Sequence, residues 1–402
     1  MLYLFTNKNL INKELQNMSY QPTILAQVIN QVSRLDFNTK TKDNSVDKYV
    51  KSIFSWNLFL LLVFAHLSNL KSMRHLLFVF NSFPSKHYHL GMQKISLNGL
   101  SYALANRPSQ VFRNIFYDLL SKIPRQKTKI GREFKKFVSI IDATCMPLKG
   151  TGSNWAQGGK SRREARAHVL IDASGMPLDM VITGASTHEI KGMKELNLGQ
   201  TEVLVMDRAY YSFDLWQKLT KSGITFVTRA KKNLQYKVIK NRRGRKPKGV
   251  IEDQEIEFIK SPKSKNPKRI TLRRIRIVGK KGVITFLTND LNSPARQICD
   301  LYQSRWEIEV FFKWIKQNLQ IKRFLGRNQN AIETQLWVAM IVYLILHMLK
   351  RNFSYSGSNL ELIRIINAKL LFNDVLANVL SPPQIIAYRK EDRISLFNSS
   401  GQ

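Results

Sequence analysis

Acidic residues are scarce in this chain: 28 Asp and Glu stand against 64 Lys and Arg, a formal net charge of +36 over 402 residues. A surface field of that sign points to a polyanionic partner, and nucleic acid and anionic membrane are the two usual ones. Cysteine is almost absent. Cys145 and Cys299 are the only two, too few for a disulfide framework or a Cys-x-x-Cys zinc site, and they read as ordinary reduced thiols. Long apolar runs are missing as well. The run 336–349 (LWVAMIVYLILHML) is about one third short of the roughly 20 residues that span a bilayer, and Leu58 to Phe64 is shorter still. Both are expected as buried core helices, so no membrane partner is expected and nucleic acid remains. The apolar start, Leu2 to Phe5, is too short for a signal peptide and lacks a small-residue cleavage pattern, so a cytoplasmic protein is expected.

What is present suits a globular protein, since 44% of the residues are hydrophobic and the chain is long enough for two or more domains. Residues 1–130 carry a helical pattern, with Ile53, Leu58, Leu61, Leu62 and Ala65 at three- and four-residue spacings and a Leu-rich continuation to Leu76. In 97–120, Leu100 and Leu104, then Val111, Ile115 and Leu119, fall on helical faces broken near Pro108. Helix, break and helix suit either a DNA-reading unit or plain helix packing.

The period changes after Gly131. FVSIID (137–142), AHVLID (167–172), PLDMVITGA (177–185), EVLVMD (202–207) and ITFVTR (224–229) read as short strands. The turn chemistry of Asp172 to Gly175 joins the second and third as a hairpin. With a helix around Leu215 to Leu219, the order implies a mixed sheet flanked by helices, a domain over 131–350. Residues 231–295 interrupt it with Lys and Arg among β-type runs, NRRGRKPKG and KRITLRRIRIVGKKG, expected as a basic β-rich insertion projecting from the core. A regular helix resumes at Ile298 and runs past Lys316; 351–402 reads as a tail.

Two of the strands end in an aspartate, Asp142 and Asp207. At a strand end an Asp serves equally as a turn or cap residue. The helix LYQSRWEIEVFFKWIKQNL (301–319) adds a third acid. At about 100° per residue, Tyr302, Arg305, Glu309 and Lys316 fall within an arc of roughly 60°, while Glu307 lies at roughly +140° from Tyr302 and points away. That face is either a solvated face with helix salt bridges or a carboxylate site flanked by cations.

The spacing of Tyr302, Arg305, Glu309 and Lys316, with two, three and six residues between them, resembles the YREK signature of the insertion-sequence-four family of DDE transposases. IDATCMPLKG around Asp142, DRAYYSFDLW from Asp207 and FLTNDLNSPARQICDLYQSRWEIEVFFKWIKQNL extend the resemblance from about residue 135 to 350. The helices around WNLFLLLVFAHLSNLKSMRHLL (56–77) resemble the family's leading domain more loosely. One departure is Ala209, two positions after the second aspartate, where the family commonly has glycine.

The resemblance implies a ribonuclease-H-like core, with Asp142, Asp207 and Glu309 as catalytic residues holding two Mg²⁺ ions, or Mn²⁺. Carboxylates without a Cys or His cluster suit such hard cations better than zinc. It implies cut-and-paste transposition, with DNA as partner and a homodimer pairing two element ends. Tyr302, Arg305, Lys316, Arg229, Lys231, Arg242, Arg243, Arg245 and Lys246 are the candidate DNA contacts, Arg305 and Lys316 holding phosphates beside the metals. Tyr236, Phe258 or Phe286 are candidates to stack a flipped base if a hairpin intermediate forms.

Asp172 is set aside as a hairpin-turn residue, and His168 and His188 as structural. Trp155, in the Gly-rich loop GTGSNWAQGGK (150–160), stays open between packing and DNA approach. RRGRKP (242–247) reads as general phosphate affinity. Two other readings stand beside the transposase: a DNA-binding repressor that no longer transposes, and a nuclease without strand transfer.

Overall fold

The computed structural model describes residues 22–380, apart from 44, 149–152, 159–162, 232–233, 243–247, 261–267, 280–281, 320 and 322. The chain divides into two compact units. One holds 22–31 and 345–380. In it α1 (Ile24–Ile29) is capped by Thr23, whose hydroxyl accepts from the Ala26 N–H at 3.2 Å. The Gln27 side chain donates to the Asp374 carbonyl and accepts from the Leu376 N–H. The stretch read as a tail thus contains two helices, Asn359–Lys369, which opens on a Ser358–Glu361 capping box, and Leu376–Leu380.

The second unit, Val32–Leu344, begins with helices. They are α2 (Arg34–Asp43), α3 (Ser55–Leu67), α4 (Met73–Asn81), α5 (Leu97–Asn106), α6 (Ser109–Ser121) and the short α7 (Lys129–Glu133). Helix α3, SWNLFLLLVFAHL, is buried along its whole length, as an all-round apolar sequence requires. The helix-break-helix of 97–120 is packing. At the break, the Asn330 amide donates to the Arg107 carbonyl and its oxygen accepts from Ser109. Buried Arg107 bonds the Ile53 carbonyl at 2.9 Å. Helix α6 buries Val111, Phe112, Ile115 and Phe116 on one side. On the other, Tyr117 donates to Asp179 at 2.6 Å.

Strands β1 (Val138–Pro147), β2 (Glu164–Asp172) and β3 (Pro177–Gly184) form an antiparallel meander. Then come α8 (Glu189–Glu195), β4 (Val203–Met206), α9 (Phe213–Lys221) and β5 (Thr225–Arg229). β4 pairs parallel to β1 and β5 parallel to β4. The order β3-β2-β1-β4-β5 is the ribonuclease-H-like arrangement, a mixed sheet flanked by helices.

The basic segment does not project as a separate insertion. β6 (Lys237–Asn241), β7 (Val250–Lys260), β8 (Lys268–Gly279) and β9 (Gly282–Thr288) extend the same sheet to nine strands, because β9 pairs antiparallel with β5 through Val227 and Thr288. Its arginines are paired across strands: Arg273 with Asp253, Arg274 and Arg276 with Glu252, Arg269 with Glu257.

The expected continuous helix over 298–316 is two helices, α10 (Ala295–Gln303) and α11 (Trp306–Asn318). At the junction Ser304, Arg305, Glu307 and Ile308 donate to carbonyls three residues back, the tighter bonding that shifts a helix face. The final helix of this unit, α12 (Gln329–Asn352), runs beyond its apolar stretch to 24 residues, and 78% of its apolar window is buried inside the protein. Its length and composition would allow a bilayer span, yet buried Gln335 on it accepts from the Leu325 N–H and donates to the Ala331 carbonyl, as a core helix with internal partners permits.

Candidate active site

The catalytic end of the sheet is where β1 and β4 part. Their parallel register ends at Ile141 and Met206, so the next residues, Asp142 and Asp207, stand side by side on diverging strands. Asp207 follows β4 and caps a 3-10 turn, its carboxylate accepting from the Arg208 N–H at 2.6 Å. Asp142 is not the last residue of its strand: β1 continues to Pro147 against β2. Helix α11 buries Ile308, Phe311, Phe312 and Ile315 at i, i+3, i+4 and i+7, which leaves Glu309 and Lys316 half-buried along β1.

Arg305 ties the site together. One guanidinium nitrogen lies 3.2 Å from Asp142 Oδ2 and the other pairs with Glu309 Oε1. Lys316 Nζ donates to Thr144 Oγ1 and, at 3.2 Å, to the Cys145 carbonyl. Glu307 is exposed and outside this group. Despite the tightened junction, Tyr302 stands within electrostatic reach of Arg305, Asp207 and Asp142. Its ring is buried against Phe286, 4.9 Å between centroids, with the Arg229 guanidinium 5.4 Å from its centre. Its buried hydroxyl has no hydrogen-bond partner among the described residues.

Burial pushes the Asp142 carboxyl up to about 6; the Ala143 N–H and Arg305 pull it down, while Asp207 and Glu189 push it up further. Its negative charge is therefore under-compensated as the residues stand. Glu189, at the start of α8 and 3.8 Å from Arg166, was invisible as a site neighbour in the sequence, because only the fold brings it to Asp142. Trp306 was missed too. It is 61% exposed beside Arg305, whereas the three aromatics named for stacking are packed: Phe286 on Tyr302, Phe258 against Trp216, and Tyr236 beneath Arg274.

Of the other candidate contacts, Arg229 and Lys231 are exposed, Lys231 lying 4.6 Å from the Tyr211 ring centre. Arg242 is held by Glu255, Asp253 and the Leu291 carbonyl. Arg243, Arg245 and Lys246 lie outside the described residues. His168 is buried with Nε2 on Thr183 at 3.0 Å, and burial pushes it down to about 4. It is a neutral structural histidine packed under Gly192, where a Cβ would fall 2.3 Å from its ring.

Among the described residues no three acidic, histidine or cysteine side chains close on one point; the Arg305 guanidinium lies between two of the carboxylates instead. The donor set still fits a hard divalent cation: three carboxylates, one of them desolvated and under-compensated, with one bridging cation.

A ribonuclease-H-like sheet with carboxylates converging where its parallel strands part defines the chain as a nucleic-acid-processing enzyme of the DDE class. Residues 133–345 match the family described as transposase DDE domain, and the chain belongs to that family. Residues 20–93 match a second family, DUF4372, described as a domain of unknown function. A Sinorhizobium fredii protein that carries the name transposase y4zB is 32% identical over 302 residues, 74% of this chain and 83% of the relative. A Geobacillus stearothermophilus protein named as a transposase for insertion sequence element IS5377 is 27% identical over 68% of this chain and 74% of its own length. A Synechocystis protein named for element IS4SA is 23% identical over 70% and 80%. DDE transposase domains use divalent metal ions.

Proposed function

We propose that this transposase cleaves DNA at the ends of its insertion element and joins those ends to target DNA by cut-and-paste transposition, with Asp142, Asp207 and Glu309 holding two Mg²⁺ ions, or Mn²⁺. The supporting observation is the pairing of Asp142 and Glu309 with Arg305 where β1 and β4 part, β4 being the strand after which Asp207 stands. The metal ions, when bound, supply charge stabilisation of the attacking and leaving oxygens in an in-line displacement at phosphorus. Arg305, beside Asp142 and Glu309, would hold a phosphate oxygen of the DNA. Lys316 keeps the α11 end of the site positive and is fixed by Thr144 and Cys145. The first attack, by water, frees a 3′ hydroxyl; the second, by that hydroxyl, makes the new phosphodiester.

The helical region before residue 130 contributes to holding DNA, two protomers pair two element ends, and the work is done in the cytoplasm where the chromosome lies. Incubating the protein with Mg²⁺, labelled duplexes carrying the inverted repeats that flank its gene and a supercoiled target tests this directly. Joined products are expected; cleavage without joining would make the protein a nuclease, and binding alone a repressor. Light scattering should find two protomers with two ends, and one protomer per complex would sink the dimer.

A further inference from the structure

We propose that a cleft beside the catalytic site is a seat for the phosphate backbone of duplex DNA, at a fixed distance from the scissile bond. The proposal rests on the transposase reading and gives it a binding surface. The cleft, about 780 Å³, lies between the N-terminal ends of α4 and α5, the last residues of β1 and the segment 323–327. Lys71, Arg74, Arg323 and Arg327 line it together with Pro147 and Leu148, and none of its described lining side chains is acidic. None of the four cations forms an ion pair with another described residue, in contrast to the arginines of β8. Four cations serving no internal pair carry a net positive field into one concave space, the electrostatic footprint of a nucleic-acid backbone.

Two further features suit phosphate. The first turns of α4 and α5 line the cleft, capped by Ser72 and Ser96, each accepting one backbone N–H at 3.1 Å; helix N-termini carry partial positive charge. The walls are also fixed. Leu325 N–H donates to buried Gln335 at 2.7 Å, and the Trp155 indole donates to the Arg327 carbonyl at 3.1 Å. Gly326 packs so closely that a Cβ there would fall 2.5 Å from that of Ala331. Trp155, open in the sequence, is thus a strut of this cleft.

Strand β1 links cleft and chemistry. From Asp142 to Pro147 are five strand steps, roughly 16 Å at about 3.3 Å per residue, or roughly five nucleotides along one strand at 3.4 Å each. A backbone passing through the active site and continuing over Lys316 reaches the cleft at that spacing.

The test measures affinity for a 40-base-pair duplex of random sequence by fluorescence anisotropy across salt concentrations. Lys71→Gln, Arg74→Gln, Arg323→Gln and Arg327→Gln are combined in one variant. A control combines Lys129→Gln, Arg132→Gln, Lys218→Gln and Lys221→Gln, exposed cations on α7 and α9 at the other end of the parallel strands. The logarithmic salt slope should shrink by about 3.6 in the cleft variant, near 0.9 per lost phosphate contact, and by less than about one in the control. Equal slopes in the two variants overturn the proposal. If the combined cleft variant does not fold, the pairs Lys71/Arg74 and Arg323/Arg327 are measured separately, each expected to remove roughly two; unchanged slopes overturn it equally. Mg²⁺-dependent cleavage by the unaltered protein is scored alongside. A slope difference without cleavage keeps the cleft and sinks the transposase reading, while cleavage with equal slopes sinks the cleft alone.

Discussion

The two halves of the nine-stranded sheet use charge in opposite ways. In β7 and β8 the arginines meet carboxylates across the strands, and Arg273, only 2% exposed, holds Asp253 through two contacts of 2.8 Å each. At the parting of β1 and β4, Asp142 and Glu309 share the Arg305 guanidinium, and burial pushes the Asp142 carboxyl up to about 6. Matched charge is structure and mismatched charge is a binding site, because an ion left short of partners gains most from an incoming one. A basic composition thus does not tell where DNA binds: the arginine-rich β8 is satisfied internally, and the unpaired cations lie elsewhere.

The largest effect that would sharpen this contrast belongs to Glu309. Glu309→Gln keeps size and hydrogen bonding but removes charge, so cleavage should fall on the order of 10³-fold with DNA binding retained. Glu307→Gln, exposed on the other side, should stay active. Equal losses in both, with folding intact, would withdraw the helix assignment. Arg273→Met probes the matched half. It strands Asp253 in a partly buried setting and should lower unfolding free energy by about 3–5 kcal/mol in urea titrations; a loss under about 1 kcal/mol would mean the pair is incidental.

Asp142→Asn should do the reverse and stabilise. The folded carboxyl titrates above its unfolded counterpart, so the native state binds more protons between about pH 4 and 6 and the wild type loses stability as pH rises through that window. The variant should be about 1–3 kcal/mol more stable at pH 7.5, with the gain vanishing at pH 4. Differential scanning calorimetry at both values checks it, and a variant less stable at pH 7.5 would refute the mismatch. The smallest effect is expected for Glu257→Gln. Its partner Arg269 is 58% exposed, and such pairs contribute about 0–1 kcal/mol; a larger loss would show that the edge of the sheet is held by charge.

The strands were legible because Val- and Ile-rich runs announce themselves, but the end of β1 was not. Thr144 and Cys145 carry no apolar alternation, and they extend the strand only because Ala167 and Arg166 lie opposite. Likewise the junction at Ser304 and Arg305 has no proline or glycine to mark it, so a single regular helix was expected. Phe286 looked available only while the basic strands were taken for a projection; the pairing of β9 with β5 and the packing on Tyr302 of α10 bury it, and Phe258 is half-buried against Trp216 of α9.

By itself the sequence determined the class of enzyme and singled out Asp142, Asp207 and Glu309 as candidates, because a spacing of chemical groups along a helix and two acids after apolar strands survive without knowledge of the fold. Only the tertiary structure decided which cations are free, since an arginine's partner lies across strands or on another element, at separations such as the 163 residues between Asp142 and Arg305. Pairing of charge is a property of three-dimensional proximity, and the linear order of residues does not carry it.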